Sequence, residues 1–181
     1  AMVIGGLLLT GWWGAGGDGV PAVQAQSSGV IDLSGVRPNW DKVLPAAQRF
    51  VVLAAFNGEA VRDNETGLVW EQSPQTTTAV WSNARVACTG KTTGNHLHWR
   101  LPSVLELASL IDPSVASPGP PLPAGHPFTN VQSSHYWAAT TVSESTFAWG
   151  VNFNDGNVGG TVSALAGQVW CVRGGMNADA Y

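Results

Sequence analysis

Charge is what this chain has least of. Asp, Glu, Lys and Arg make up 11% of its 181 residues, against about 25% in an average soluble protein. The eight basic residues do not cluster and the formal net charge is −4, so the basic face that a nucleic-acid partner requires is missing. Long apolar runs are missing too. Met2–Leu9 is apolar but is broken at once by GWWGAGGDG, far short of the about 20 residues that span a bilayer. There is no Ser-His-Asp order with a nucleophile elbow, no phosphate-binding glycine loop and no suitably placed carboxylate pair. The sequence therefore offers no positive sign of an enzyme. Cysteine is nearly absent, with two residues in the whole chain, and no internal repeat is present.

What the chain does have is turns and tryptophan. Twenty-two glycines and eleven prolines, with many Ser, Thr and Asn, predict short elements joined by abundant turns. Nine tryptophans against two tyrosines predict a core built on indoles, each with one N–H that needs an acceptor. The length suits one domain plus a tail. Low charge with many turns fits an extracellular or periplasmic module better than a cytosolic enzyme.

Residues 1–26 have two readings. Val23-Gln24-Ala25 before Gln26 fits the small-x-small cleavage site of a signal peptide, although no Lys or Arg precedes Arg37. Alternatively, the segment is retained as an assembly arm, with Leu7, Leu8, Leu9, Trp12 and Trp13 packing on the chain's own domain or on a neighbouring copy. Residues 27–48 are polar and proline-spaced and read as a linker, which places the domain at 49–181.

Arg49–Phe56 is a continuous apolar strand candidate ended by Asn57-Gly58. Ala60–Asp63 and Leu68–Glu71 read as two short strands around an Asn64–Gly67 turn. Thr76–Thr78 is expected to cap a helix that carries Trp81, Ala84 and Cys88 on one face. The stretch HWRLPSVLELASLID, residues 98–112, holds the strongest local signal. Ser103 and Glu106 form an S-x-x-E capping box, Leu107, Leu110 and Ile111 recur at helical spacing, and Asp112-Pro113 stops the helix. Residues 113–134 carry six of the eleven prolines and read as a long loop. Tyr136–Thr141 follows as a strand. Phe147, Trp149, Val151 and Phe153 alternate with small or polar residues, predicting a half-buried strand with those four facing inward. Asn154–Asn157 is a hairpin turn and Gln168–Arg173 the last strand. The order is α+β: two helices, a mainly antiparallel sheet and long irregular loops.

Six motifs occur in order: DNETGLVW, WSNARVAC, HWRLPSVLELASLID, YWAATT, AWGVNFNDGNV and VWCVRGG. Together, over about residues 49–175, they resemble the DUF1566 family, also called the Lcl C-terminal domain after a collagen-like adhesin. The resemblance implies a C-type-lectin-like fold and an exported bacterial protein at the cell surface or outside the cell. It carries little chemistry beyond glycan adhesion in a few members. It also implies that the end of the first helix and the last strand lie side by side, so that Cys88 and Cys171 form a disulfide. A copper- or zinc-binding pair is the alternative. Formylglycine-generating enzymes share the fold but use two closely spaced cysteines near the C-terminal end, and this chain has one there.

In such folds the ligand face is formed by the long loop and the strands after it, here about 113–135 and 138–165. The resemblance thus marks His135, Tyr136, Thr141, Glu144, Asn152, Asn154 and Asp155 as candidate ligand-binding residues. Calcium-dependent lectins of this fold use Glu-Pro-Asn or Gln-Pro-Asp and a Trp-Asn-Asp strand, none of which occurs. Asn152, Asn154, Asp155 and Asn157 could offer oxygens to calcium, but a tight hairpin is the plainer reading, so no metal and no cofactor is expected. His96 and His98 would share a face if they lay on a strand, with no carboxylate nearby to complete a site. Arg100 and Arg173 are expected to stack, or to pair with Asp63, Glu71 or Glu106. The chain reads as a non-catalytic recognition or adhesion module for a surface glycan or protein ligand. The alternatives are a structural subunit that pairs with copies of itself through residues 1–26 and, more weakly, an oxidase of the formylglycine-generating type.

Overall fold

The computed structural model describes residues 44–142 and 146–175; the arm candidates Leu7, Leu8, Leu9, Trp12 and Trp13, and also Glu144, lie outside them. Two sheets form the frame. The first has the order β1 (Phe50–Val52), β2 (Ala60–Asp63), β3 (Val69–Glu71), β9 (Val172–Arg173). The second has the order β4 (Gln75–Ala79), β8 (Gly167–Val169), β5 (His135–Thr141), β6 (Phe147–Asn152), β7 (Val158–Val162). All pairings are antiparallel except a single parallel contact of Tyr136 with Gln168. Three α-helices accompany them: α1 (Ala46–Arg49), α2 (Trp81–Thr89) and α3 (Val104–Ala108). The expected α+β class with mainly antiparallel sheets is what forms.

The alternation of side chains along strands is used on both faces, because each face meets its own core. Val61, Trp70, Tyr136, Val151, Phe153, Trp170 and Val172 belong to one buried cluster. Ala60, Trp137, Ala148, Val169 and Cys171 belong to the other, with Trp99 and Leu101. Neighbours such as Tyr136 and Trp137 thus point to opposite cores. Four of the indoles answer the expectation that each N–H needs an acceptor. Trp81, Trp99, Trp137 and Trp170 donate to the carbonyls of Ala138, His96, Ala79 and Glu71 at 2.8–2.9 Å. Trp70 is the exception, its Nε1 buried with no partner.

The Cys88–Cys171 disulfide exists, with Cα atoms 5.4 Å apart. It joins α2 to the segment between β8 and β9 inside the second core. The capping box at α3 also forms in full. Ser103 Oγ accepts from the Glu106 N–H at 3.2 Å and Glu106 Oε2 accepts from the Ser103 N–H at 2.8 Å. Arg100 adds two bonds to the same carboxylate at 2.6 and 2.7 Å. Burial alone would raise the Glu106 pKa, but the bonds from Arg100 and Ser103 outweigh it and hold the carboxyl below its ordinary range.

Several local expectations give way. The apolar run Arg49–Phe56 is not one strand. Arg49 ends α1, only Phe50–Val52 pair, and Ala54–Phe56 turn as a 3-10 helix, because the chain reverses at Asn57 and Gly58, both at positive φ, and Gly58 donates its N–H back to the Leu53 carbonyl. Ala46, ahead of the expected domain start, packs into the first core. Thr76–Thr78 lie within β4 rather than capping α2, whose N-cap position is Val80 with no side-chain bond. In β6 the inward face changes midway. Ala148 and Gly150 are buried and Phe147 is 42% exposed, whereas Val151 and Phe153 are buried beyond them. A register shift in the β5–β6 pairing, between Trp137 and Thr141, accompanies this change. His96 and His98 are not on a strand: His96 stacks on Phe56 with centroids 3.8 Å apart, and His98 has φ 68°, so the rings share no strand face.

Candidate functional site

The turn between β6 and β7 is built by its own side chains. Asn152 Oδ1 accepts from the Asn154 N–H at 3.0 Å, and the Asn152 carbonyl accepts from the Gly156 N–H at 2.7 Å. Asp155 Oδ1 and Oδ2 accept from the Asn157 N–H and Nδ2 at 3.0 and 2.7 Å. Gly156 has φ 77°, the left-handed conformation such a turn needs. The side-chain oxygens of Asn152 and Asp155 thus accept bonds that hold the hairpin. Among the described residues, no group of three His, Cys, Asp or Glu side chains could hold a metal ion.

The long loop folds against this turn. Gly119 donates its N–H to the Asn154 carbonyl at 3.3 Å, and a Cβ on Gly156 would meet Ile111 Cγ2 at 3.1 Å. Asp112 donates its N–H to the Pro121 carbonyl at 2.7 Å. The Asp112 carboxylate accepts from the Ser114 hydroxyl and N–H at 2.6 and 2.9 Å, which holds its pKa below the ordinary value. Beside the turn, Ile111, Asp112 and Pro113 form one wall of an open groove of about 500 Å³. Leu44, Arg49 and Glu65 line its other side. Arg49 is already bonded to Asp63 and to Glu65 at 2.9 and 3.1 Å, so the groove is lined by one shared cation, by carboxylates that outnumber it and by apolar surface.

The seven candidate residues do not form one cluster. His135 and Asn152 are cross-strand partners, and Asn154 and Asp155 follow in the adjoining turn. Thr141 is exposed at the far end of β5, whose seven residues span about 20 Å, and so does not belong to that group. Tyr136 is a correction: it is fully buried in the first core. Burial pushes its hydroxyl up to about 12, only partly offset by the bond accepted from the Gln132 N–H at 2.8 Å. A side chain sealed there cannot touch a ligand. His135 is half-buried, edge-on to Trp137 with centroids 4.8 Å apart and Nε2 without a partner. Burial lowers its pKa. Of the two arginines expected to stack or pair, Arg100 pairs with Glu106, whereas Arg173 lies 5.7 Å over the Phe56 ring.

Ile111 and Asp112 are legible in the sequence as the end of a helix, but nothing in it joins them to Leu44 in a groove, because segments sixty and more positions apart meet only on folding. The nearest clue was the proline density of 113–134, which marks a loop but not what it lies against.

No helix of the described residues is long and apolar enough to cross a membrane. No curated protein matches the chain. The sequence pattern of one family, described as the Lcl C-terminal domain, matches residues 59–173, from the start of β2 to the end of β9, and with the disulfide it fits an extracellular protein. Over most of its length, then, this chain belongs to the Lcl C-terminal domain family, DUF1566.

Proposed function

We propose that this chain is a non-catalytic, exported recognition or adhesion module with a C-type-lectin-like domain, binding a surface glycan or protein through the β6–β7 turn and the groove beside it. The observation that carries the reading is the turn itself. Asn154 and exposed Asp155 lie in a turn fixed by six hydrogen bonds within 152–157 and by Gly119, and they sit next to an open groove on a disulfide-braced frame. Binding residues on loops held by a rigid scaffold are the usual arrangement for recognition, and pre-ordering reduces the entropy lost on binding.

A glycan array probed with the full chain, and with an Asn154→Ala/Asp155→Ala variant, tests this. A glycan bound by the wild type and lost by the variant at unchanged thermal stability supports the proposal. Equal binding by both moves the ligand face elsewhere.

The structural-subunit reading rests on the apolar, tryptophan-containing sequence of residues 1–26. Deleting them should abolish self-assembly if that is their role and leave ligand binding intact if it is not. An oxidase of the formylglycine-generating type would need an unpaired, reactive Cys171. Its bridge to Cys88 favours the non-catalytic reading, and thiol labelling of the native protein is the direct measurement.

A further inference from the structure

Each sheet has two edges, and three of the four are blunted. β1 is three residues long and sits between α1 and the 3-10 turn. β9 is covered on its outer side by Arg100, which exchanges two backbone bonds with Val172 at 2.8 and 2.9 Å. β4 follows Pro74 and is irregular in register against β8. Among the described residues, β7 has none of these protections. Its five residues pair with β6 in unbroken register, and no charged residue or proline occurs between Asp155 and Arg173. Natural sheets place charge, proline or bulges on such edges to prevent further pairing, so an edge left bare over a full strand is available to another strand.

The register shows which groups are offered. Asn152 donates to the Asn157 carbonyl and Ser163 to the Thr146 carbonyl, both at 2.8 Å. The hydrogen-bonded positions of this hairpin are therefore the odd-numbered ones, and Val158, Gly160 and Val162 turn their N–H and C=O groups outward. Those three positions are symmetric about Gly160. Val158, 48% exposed, stands at one end, and Val162, half-buried, at the other.

We propose that β7 pairs antiparallel with β7 of a second copy of this chain, about a two-fold axis at Gly160, joining the two five-stranded sheets into one. In that register Gly160 faces its own counterpart and Val158 faces Val162 of the partner subunit, so every outward donor meets an acceptor. The Val162 carbonyl already accepts from Leu165 and has a second lone pair to offer. A second copy is the occupant because the edge is complementary to itself. Each copy has net charge −4, yet this stretch contributes none of it, so two copies meet here without repulsion, whereas a charged peptide would find no counter-charge. A symmetric, isologous contact of this kind closes at the dimer. It involves neither residues 1–26 nor the proposed ligand turn.

Sedimentation velocity of the full chain over a concentration series tests the pairing. The wild type should move from one chain mass to two. Gly160→Lys should stay monomeric over the same range with an unchanged circular dichroism spectrum, because it sets like charges directly opposite each other. The site accommodates a side chain: a Cβ there would meet Val142 Cγ2 at 3.6 Å and Phe147 Cβ at 3.8 Å, ordinary contacts. Gly160→Cys should form a covalent dimer under mild oxidation, since opposed hydrogen-bonded residues have Cα atoms about 5.5 Å apart, within disulfide range. Thr77→Cys on the β4 edge should not. A wild type that stays monomeric throughout overturns the proposal, as does an oligomer that Gly160→Lys leaves intact, such as one assembled through residues 1–26. If Gly160→Lys fails to fold, the Gly160→Cys cross-link decides, and its absence refutes the pairing.

Discussion

Arg49 closes on Asp63 through two bonds, Nε to Oδ1 at 3.1 Å and Nη2 to Oδ2 at 2.9 Å, with Asp63 fully buried and Arg49 nearly so. The same Nη2 donates to the Ser109 carbonyl at 2.6 Å, so one guanidinium ties α1 to β2 and to the end of α3. A charge this deep is tolerated only when paired. Arg49→Leu keeps the bulk and removes the charge, leaving the Asp63 carboxylate buried with only the bond it accepts from the Glu65 N–H at 2.9 Å. The expected loss is about 3 kcal/mol, read from the urea midpoint at pH 7. Arg49→Leu with Asp63→Asn should lose less than Arg49→Leu alone.

Cys88 and Cys171 close a loop with a sequence separation of 83. By restricting the unfolded chain, such a bridge contributes about 4.5 kcal/mol. Cys88→Ala/Cys171→Ala should therefore lower stability by several kcal/mol, measured by denaturant unfolding against the oxidised wild type. Wild type unfolded under strong reductant should match the double variant. Equal stability with and without the bridge would contradict this account.

The parts of the fold that could be read in the sequence are those decided within a few residues. The Ser103–Glu106 capping box and the Asn154–Asn157 turn are local chemistry, and both form as their residue types dictate. Phe147 was expected to face inward because simple alternation assumes one core, whereas β6 passes between two and changes phase on the way. Thr76–Thr78 read as a cap because Thr suits that position, but the flanking Gln75 and Ala79 pair with β8 and carry the segment into a strand. The disulfide entered through family resemblance, since nothing in the spacing of two cysteines fixes their distance. For the candidate site, the turn was legible. The burial of Tyr136 was not, because an aromatic on a strand has the same pattern whether it faces a core or a ligand.

Stability should depend on pH through His135. Burial disfavours its charged form, so its folded pKa lies below the unfolded value, which is about 6.5. As pH falls through about 6.5, the unfolded chain takes up a proton that the folded chain resists. Stability is thus full above that value and declines as the pH drops toward the folded pKa. His126 is shifted in the same direction by burial and adds to the slope. The thermal midpoint should be lower at pH 5.5 than at pH 7.5, and His135→Gln should reduce that difference without abolishing it. Below about pH 4, protonation of Glu106 and Asp112, both held low in the folded state, should cause a separate loss that His135→Gln leaves untouched.

Gly150 explains why His135 is held as it is. The glycine lies in β6 opposite Trp137, and a Cβ on it would run into the Tyr136 carbonyl oxygen and the His135 ring. The ring thus occupies space that any other residue at 150 would need. Gly150→Ala should cost about 3 kcal/mol or more, at the upper end for overpacking a close-packed interior. A glycine on an open edge gives the contrast, and Gly160→Ala should change stability little. Gly150→Ala/His135→Ala separates the two obstacles. Shortening the histidine clears the ring but cannot move the Tyr136 backbone without disturbing the β5–β6 pairing. The double variant should therefore recover only part of the loss, and the cycle of single and double variants in thermal unfolding gives the coupling between the two sites. Full recovery would mean that the ring alone demands glycine; no recovery would assign the demand to the strand backbone.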